Sequence, residues 1–364
     1  MEYRRLGRSG LQVSTLSIGA MRLPKEDEAA VTLLRQAIDA GCNYIDTSLG
    51  YGDSELKLGL ALKDGYRDKV VLSTKCSPWI FKEEGYTAGA DDARRKIDQQ
   101  LERLQVEYLD FYQVWNIDSA ESYAAAIAPD GVVAGINRAM DEGLVRHIAF
   151  TTHAPLPVMH QAIDSGLFEA ITVSYHLLNR EVEEIMAHAA TADLGVVVMN
   201  PMGGGVLGAE SAVLRDLLRE LSWSSKALAL RFVLDHPAVT TAICGFSRPS
   251  DVTENAAIAA GSGLKAEQRA RLAAGVAAIE TRRRCTQCGY CMPCEHGVLI
   301  KNIFAHLTNA ELFGLLDAAR ERYANWKPEW KADVCTQCGA CEEKCTNRLP
   351  IREELARAHT LLSG

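Results

Sequence analysis

Short β-branched runs alternate with amphipathic stretches of helical period through the first 260 residues. In one such stretch Val31, Leu34 and Ile38 fall at i, i+3 and i+7, which is typical of a helix with one buried face. Eight β/α repeats of this length predict a (β/α)₈ TIM barrel, with a doubly wound sheet as the alternative. The strand candidates are LSIGAM, NYIDTS, VVLSTKC, YLDFYQVW, VRHIAFTTH, EAITVSY, GVVVMN and VTTAICGFS.

Two segments lie outside these repeats. The opening EYRRLGRSGLQVS predicts a β-hairpin that turns at Ser9 and Gly10 and plugs the barrel. After the eighth strand two helical stretches follow, and the composition then changes at Cys285. We therefore set a domain boundary near Thr281, which gives a barrel over residues 1–280 and a smaller α-helical domain over residues 281–364.

The overall composition and charge indicate which kinds of molecule the protein binds. Of the 364 residues 48% are hydrophobic, which is enough for a large core and excludes a disordered chain. The formal net charge of −8 argues against binding to nucleic acid or to an anionic membrane. The N-terminus is polar, and no uncharged apolar stretch approaches the ~20 residues that span a bilayer. We expect a cytoplasmic protein that acts on a small molecule.

The cysteines fall into two closely spaced groups near the C-terminus. Two residues separate successive cysteines in the first group, and the second group ends with a gap of three, as in bacterial ferredoxins. In that arrangement three neighbouring thiolates hold one 4Fe-4S cluster, and the remote fourth holds the other. The spacing thus predicts a ferredoxin-like domain with two clusters, whose ligand sets are Cys285, Cys288, Cys291 and Cys345 for one and Cys335, Cys338, Cys341 and Cys294 for the other.

Zinc is the alternative ligand, because two CxxC units can form a Cys₄ site. Three consecutive cysteines at this spacing crowd one tetrahedral centre, which favours iron-sulfur clusters. The proline that follows the fourth ferredoxin cysteine is replaced by Glu295 and Thr346. Between the groups, NAELFGLLDAARERYANW predicts a helical pair.

Chemistry in a (β/α)₈ barrel collects at the C-terminal ends of its strands. Asp46 ends the second strand candidate, Tyr51 follows it, and Lys75 lies on the third. A Lys ammonium beside the phenol is expected to lower the Tyr51 pKa, so that Tyr51 protonates a carbonyl oxygen while Asp46 holds the lysine. Each residue alone has an ordinary structural role, so this interpretation depends on their joint placement. Later strand ends carry Trp115, Asn116 and His153.

NYIDTSLGYGDSE and VLSTKC resemble motifs of the aldo/keto reductase superfamily, in which this Asp, Tyr and Lys are three members of a catalytic tetrad. The resemblance covers roughly residues 1–260, including NPMGGGVLG and GFSRPSDVTEN, and the cysteine tail resembles the branch with a C-terminal ferredoxin-like module. It implies an oxidoreductase that interconverts a carbonyl and an alcohol with NAD(P)H. Tyr51 would be the proton donor or acceptor, tuned by Lys75 and Asp46.

The fourth tetrad member differs from the family pattern. Trp115 occupies the position of the tetrad histidine, and an indole donates a hydrogen bond but relays no proton. Asn116 would reach the barrel mouth only if the strand frays, because adjacent strand residues point to opposite faces. His153 and His176 are candidate substitutes, with a structural histidine as the alternative for each.

Gly203, Gly205 and Gly208 form a GxGxxG pattern but follow the seventh barrel strand, so we do not interpret them as a Rossmann site. Met199 replaces the aromatic residue that stacks on nicotinamide in many relatives, and the lysine of the 2′-phosphate site falls on Gly245. By resemblance, the carboxamide is held by Thr151 and Thr152, the pyrophosphate by Asn200, Met202 and Gly203, and the adenosine end by Ser247, Arg248, Glu254 and Asn255. Bidentate binding of a phosphate by Arg248 favours NADPH over NADH.

Three functions fit these features. In the first, the barrel converts a carbonyl or alcohol with NADP or NAD, and the clusters are structural or accept electrons from a ferredoxin-like protein or a flavoprotein. In the second, the nicotinamide site is degenerate and the clusters feed single electrons to the substrate. In the third, the protein is a non-catalytic electron-transfer subunit, against which Asp46, Tyr51 and Lys75 argue.

Overall fold

The computed structural model describes residues 1–76, 80, 85, 88–177, 179–208, 223–261, 263–278, 285 and 289–364. The chain separates into two compact units. The predicted boundary near Thr281 lies outside the described residues, so the division into residues 1–280 and 281–364 stays a prediction. The first unit comprises Met1–Tyr175, Glu181–Pro201 and Leu230–Gly263, and the second comprises His176–Arg180, Met202–Ala229 and Leu264–Gly364.

The first unit contains a closed barrel of eight parallel strands, which confirms the predicted (β/α)₈ architecture. Each strand pairs with the next in sequence, and the last pairs with the first. Nearly every strand residue is buried, as expected where helices cover the outer face of a barrel whose interior is filled by side chains. The strands are β3 (Leu16–Gly19), β4 (Tyr44–Asp46), β5 (Val71–Cys76), β6 (Leu109–Ile117), β7 (Val145–Thr152), β8 (Ala170–Ser174), β9 (Gly195–Met199) and β10 (Thr241–Gly245).

Amphipathic helices alternate with these strands. The helix Ala90–Leu104, for example, has acidic Asp91 and Asp92 in its first turn, where they complement the helix dipole, and is followed by Gln105 in the left-handed conformation. The helices within the described residues up to 278 are α1 (Asp27–Asp39), α2 (Ser54–Ala61), α3 (Ala90–Leu104), α4 (Ala120–Ile127), α5 (Val132–Asp141), α6 (Leu156–Asp164), α7 (Glu183–Thr191), α8 (Ser225–Leu234), α9 (Pro249–Ala260) and α10 (Ala266–Ala278).

The N-terminal hairpin is present as predicted. Its strands β1 (Tyr3–Arg5) and β2 (Gln12–Ser14) pair antiparallel. Leu6 and Val13 are fully buried in a cluster with residues from seven barrel strands. A Cβ atom on Gly7 would lie 2.2 Å from the backbone nitrogen of Gly195, the first residue of β9, so only glycine permits this approach. The hairpin therefore fills the N-terminal end of the barrel.

The C-terminal part of the second unit is helical around its own core. The predicted helical pair is present as α11 (Ile300–Phe313) and α12 (Leu316–Ala324), followed by α13 (Ala340–Glu343) and α14 (Ile351–Ser363). Its buried core includes Ile303, Tyr323 and Leu355. Six cysteines, partly buried, pack against this core: Cys285, Cys291, Cys294, Cys335, Cys341 and Cys345. None of the helices in the described part of the chain is both long and apolar enough to cross a membrane.

Candidate active site and cluster-binding segment

A buried ion pair joins the C-terminal ends of β4 and β5. The Lys75 ammonium donates to Oδ1 of Asp46 at 2.6 Å and to the carbonyl oxygen of Thr47 at 2.9 Å. The side chains of Lys75 and Asp46 are only 5% and 7% exposed. Because an unpaired charge here would cost several kcal/mol, about 3–5 on loss of one partner, each side chain fixes the other.

Tyr51 lies in the loop between β4 and α2, and its ring lies next to Lys75 and Trp115. The Lys75 Nζ atom lies 4.9 Å from the centre of the Tyr51 ring. Trp115 meets the same ring edge-on, with centroids 5.6 Å apart and planes at 75°. The structure therefore brings all four predicted residues, Asp46, Tyr51, Lys75 and Trp115, together.

The Tyr51 pKa differs in direction from the expectation. Burial raises it well above the ordinary value, and the Asp46 charge raises it further. The Lys75 ammonium is neutralised by its contact with Asp46, so the phenol does not experience an isolated positive charge. The expected lowering of the Tyr51 pKa is therefore wrong for this geometry, and the phenol is protonated at neutral pH.

Trp115 and Gly50 form one wall of this site. A Cβ atom on Gly50 would lie 3.1 Å from Cζ3 of Trp115 and 3.2 Å from Cδ1 of Ile80. The absence of a side chain at Gly50 thus lets the loop before Tyr51 lie flat against the indole. Trp115 itself is 9% exposed.

Strand β6 is irregular at Asn116. Its pairing with β7 shifts register between Val114 and Ile117, and Asn116 has a φ of 65°. The Asn116 amide donates to Oδ2 of Asp118 at 3.1 Å. The strand therefore bulges where fraying was considered, and the Asn116 side chain is engaged with the following loop.

His153 and His176, the two candidate substitutes for the tetrad histidine, are uncharged at neutral pH. His176 is buried and His153 is partly buried. Burial lowers the pKa of His153 to about 4, although the nearby Asp118 charge opposes the shift. Burial likewise lowers the pKa of His176 to about 4. Neither imidazole can replace a tetrad histidine as a proton donor near neutrality. His176 belongs to the second unit.

Gln113 on β6, which the sequence interpretation missed, crosses the barrel interior. Its side-chain nitrogen donates to Oδ2 of Asp46 at 2.7 Å and to the Ser73 hydroxyl at 2.8 Å. Its oxygen accepts from the Thr172 hydroxyl at 2.7 Å. The sequence does not single out Gln113, because Asp110 and Asn116 of the same strand are polar as well.

A second network of buried hydrogen bonds, centred on Glu55, connects the Tyr51 loop to α3. Glu55, fully buried at the start of α2, accepts from Thr74, Gln100 and Arg103 at 2.7–3.0 Å. Burial raises the Glu55 pKa, and these donors oppose the shift. Arg103 also donates to the Gly52 carbonyl at 2.6 Å. The loop that carries Tyr51 is thereby tied to α3.

The predicted adenosine-end residues surround the start of α9. The backbone N–H groups of Ser247 and Arg248 both donate to Oδ2 of Asp251, at 3.1 and 3.0 Å. The Arg248 guanidinium, 76% exposed, pairs with the same carboxylate at 3.3 Å. Asn255 is 1% exposed, and neither its amide oxygen nor its amide nitrogen has a hydrogen-bond partner in the described part of the chain. Glu254 is exposed.

The remaining cofactor candidates belong to both units. On β7, the Thr151 hydroxyl accepts from the Asn116 N–H at 2.9 Å, and the Thr152 hydroxyl donates to the Ile117 carbonyl at 2.6 Å. Asn200 adopts a φ of 59°, a conformation that asparagine tolerates well. Met202 and Gly203 fall in the second unit.

Five cysteines from the two groups line one pocket of the second unit. They are Cys291, Cys294, Cys335, Cys338 and Cys341. Among the described residues no group of His, Cys, Asp or Glu side chains is arranged to hold a single metal ion. The five cysteines instead surround a shared space.

The other predicted ligand set is described in part. The Leu349 N–H donates to the sulfur of Cys345 at 3.4 Å, and Cys285 and Cys291 are partly buried. Cys288 lies outside the described residues. The segment CTQCG occurs in both groups, at 285–289 and 335–339. Both of its glycines, Gly289 and Gly339, have a positive φ, of 87° and 83°.

Two family models match successive parts of the chain. The model of the aldo/keto reductase family matches residues 15–276. The chain belongs to the aldo/keto reductase family. The model of a 4Fe-4S dicluster domain matches residues 284–351 of this aldo/keto reductase. The predicted combination of an oxidoreductase barrel with a C-terminal iron-sulfur domain is therefore confirmed.

Relatives of this aldo/keto reductase span the barrel. L-galactose dehydrogenase of Arabidopsis thaliana is 28% identical over 288 residues, which cover 71% of this chain and 88% of the relative. The uncharacterized oxidoreductase YqkF of Bacillus subtilis (strain 168) is 25% identical over 283 residues, covering 70% and 90%. The holo structure of aldo-keto reductase AKR11C1 from Bacillus halodurans is similar with a TM-score of 0.66 and 25% identity, over 76% of this chain and 96% of that one.

Proposed function

We propose that this aldo/keto reductase interconverts a carbonyl and an alcohol with NAD(P)H at the C-terminal ends of the barrel strands. The observation that carries the proposal is the convergence of Tyr51 with the Asp46–Lys75 pair, in which Nζ of Lys75 lies 4.9 Å from the Tyr51 ring centre. A phenol held beside a buried ammonium is suited to give a proton to a carbonyl oxygen that becomes an alkoxide.

The roles of the residues follow from their environments. When bound, reduced nicotinamide supplies a hydride to the substrate carbonyl carbon. Tyr51 supplies the proton to the oxygen, and its raised pKa keeps it protonated and favours the reductive direction. As the phenolate develops, the Lys75 ammonium stabilises its charge, and Asp46 keeps Lys75 in place. Trp115 forms the wall of the site and orients the substrate without transferring a proton.

Asn255 supports a nucleotide at the start of α9. A buried amide without partners costs about 1–3 kcal/mol, so a ligand that pairs with it recovers that cost. We assign Asn255, Glu254, Ser247 and Arg248 to the adenosine end of the cofactor. Thr151 and Thr152 are assigned to the carboxamide, and Asn200, Met202 and Gly203 to the pyrophosphate.

The C-terminal cysteines fit two 4Fe-4S clusters. The cysteine-lined pocket contains Cys294, Cys335, Cys338 and Cys341, the ligand set that the ferredoxin spacing assigns to one cluster, together with Cys291 of the other set. We assign Cys285, Cys288, Cys291 and Cys345 to the other. A bound 4Fe-4S cluster accepts or donates one electron at a time, so a ferredoxin-like protein or a flavoprotein is the expected external partner.

A second candidate function is a one-electron reduction driven by the clusters, with Tyr51 again as the proton source. The replacement of the tetrad histidine by Trp115 and of the stacking aromatic by Met199 favours it. A non-catalytic electron-transfer subunit is a weaker candidate, because it gives no role to the buried Asp46–Lys75 pair.

An anaerobic visible absorption titration separates these functions. The purified protein is titrated with NADPH, then NADH, then dithionite, and turnover of 4-nitrobenzaldehyde is compared between the parent and Tyr51→Phe. We expect a broad brown absorption and a loss of turnover in Tyr51→Phe with cofactor binding retained. Full turnover in Tyr51→Phe would exclude both enzymatic functions as assigned here. Bleaching by nicotinamide would link the clusters to the reaction, and bleaching by dithionite alone would leave them structural or supplied by an external donor.

A further inference from the structure

We infer that Gln113 is a positioning residue for the reaction, because it fixes the Asp46 carboxylate that holds Lys75. The inference rests on the proposed function of Tyr51, Lys75 and Asp46. Asp46 has two carboxylate oxygens, and each has its own donor: Lys75 binds Oδ1 at 2.6 Å and Gln113 binds Oδ2 at 2.7 Å. The carboxylate therefore cannot rotate away from Lys75 without losing a second hydrogen bond.

The orientation of the Gln113 amide is determined by its neighbours. A carboxylate only accepts hydrogen bonds, so the contact at 2.7 Å with Asp46 requires the NH₂ group of Gln113 on that side. The amide oxygen then faces Thr172, whose hydroxyl donates at 2.7 Å. Gln113 is 0% exposed and Thr172 is 2% exposed, so water does not compete for these bonds.

This chain of bonds spans four strands of the barrel. Thr172 on β8 orients Gln113 on β6, Gln113 orients Asp46 on β4, and Ser73 on β5 accepts the second amide hydrogen at 2.8 Å. A displacement at Gln113 is thus transmitted to Lys75 through Asp46, although Gln113 has no direct bond to Lys75 among its contacts. The position of the Lys75 ammonium over Tyr51 depends on this chain.

The substitution Gln113→Glu tests the inference with little change in shape. It keeps an acceptor for Thr172 but replaces the donor that faces Asp46 with a second carboxylate oxygen. Repulsion between the Asp46 carboxylate and the introduced carboxylate raises the pKa of one of them, so the two together take up one proton as the pH falls. The protonated pair again has a hydrogen bond between the two side chains and a single negative charge, as in the parent. The defect should therefore be severe at about pH 8 and reversed toward about pH 5.5.

Reduction of 4-nitrobenzaldehyde by NADPH or NADH provides the kinetic readout, expressed as the ratio of variant to parent at each pH. We expect kcat of Gln113→Glu to fall at least about tenfold at about pH 8, as for a lost hydrogen bond to a charged group, with KM for the cofactor unchanged. Gln113→Met, which lacks the donor at every pH, should show a loss that does not recover on acidification. Gln161→Glu, on the exposed face of α6, controls for the added charge.

The outcomes separate this inference from the proposed function. A Gln113→Glu to parent ratio that stays constant with pH overturns the inference, and so does parent-like kcat in both variants. If Gln113→Met does not fold, the pH series of Gln113→Glu still tests the inference, because it compares the activity of one folded variant at different pH values. Loss of activity in Tyr51→Phe together with parent-like kcat in Gln113→Glu refutes only the role of Gln113. Full activity in Tyr51→Phe refutes the proposed function itself, in which Tyr51 supplies the proton.

Discussion

The Lys75 ammonium lies over the ring of Tyr51, with Nζ 4.9 Å from the ring centre, and the same ammonium is paired with the Asp46 carboxylate at 2.6 Å. A cation over an aromatic face attracts the ring without requiring the phenol to ionise. This arrangement explains how the ammonium can stand next to Tyr51 while the Tyr51 pKa still rises with burial.

The raised Tyr51 pKa predicts opposite pH dependences for the two directions. The protonated phenol persists at every pH below its raised pKa, so kcat for carbonyl reduction should not decline from loss of the Tyr51 proton before about pH 10. Alcohol oxidation needs the phenolate, so its kcat should climb continuously through the alkaline range. Steady-state rates across the pH range check both. An alkaline decline of reduction centred well below about pH 10 would contradict the shift.

The buried ion pair predicts non-additive effects on stability. Lys75→Met leaves the Asp46 charge buried without its cation and should lower the free energy of unfolding by about 3 kcal/mol or more. Adding Asp46→Asn removes that charge and should restore most of the stability but none of the activity. Urea unfolding of the single and double variants measures the coupling. Additive losses would show that the pair is not coupled.

The unsatisfied buried amide of Asn255 predicts that its removal preserves or raises the stability of the unliganded protein but weakens cofactor binding. Asn255→Leu removes two unsatisfied polar atoms and should leave the unliganded protein as stable as the parent or about 1 kcal/mol more stable. The dissociation constant of NADPH or NADH should rise about tenfold. Asn43→Leu is the contrast, because Asn43 is bonded to Ser14 and Gln12, and its loss should destabilise the protein without changing cofactor affinity. Cofactor fluorescence measures both affinities.

The Asp251 carboxylate predicts a penalty against NADPH. It occupies the N–H donors of Ser247 and Arg248 and pairs with the Arg248 guanidinium, which are the groups assigned to the adenosine end. Asp251→Asn removes a negative charge from this position and should lower KM for NADPH several-fold while KM for NADH changes little. Arg248→Ala should act in the opposite direction. Equal changes for both cofactors in either variant would refute these assignments.

The pocket lined by cysteines of both groups predicts that substitution of one of its ligands removes one cluster and leaves the other. Cys338→Ala should remove about half of the bound iron and leave the signal of the second cluster. Cys42→Ala is the control, because burial raises the pKa of the Cys42 thiol to about 12 and keeps it from acting as a thiolate ligand. Iron analysis and low-temperature EPR of the reduced protein check this. Bound zinc in place of iron would contradict the cluster assignment.

The barrel could be predicted from sequence because its strands are short, apolar and separated by helices of regular period. The hairpin was predictable for a similar reason, since Ser9 and Gly10 mark a turn between two short extended segments. These signals depend on local composition, and each barrel strand was found where the pattern indicated.

The parts that were not predicted depend on non-local contacts. Gln113 interacts with Asp46, Ser73 and Thr172, which lie 40 to 67 residues away, so no local pattern identifies its role. The bulge at Asn116 depends on the register between two strands. The direction of the Tyr51 pKa shift required knowing that Lys75 is already neutralised and that the phenol is desolvated.

The hairpin residues Leu6 and Val13 are both 0% exposed and pack against residues of seven barrel strands at the N-terminal end of the barrel. Under the proposed function, a substrate that reacts at the opposite end of the strands enters and leaves through that same end. We therefore expect each product to leave before the next substrate binds.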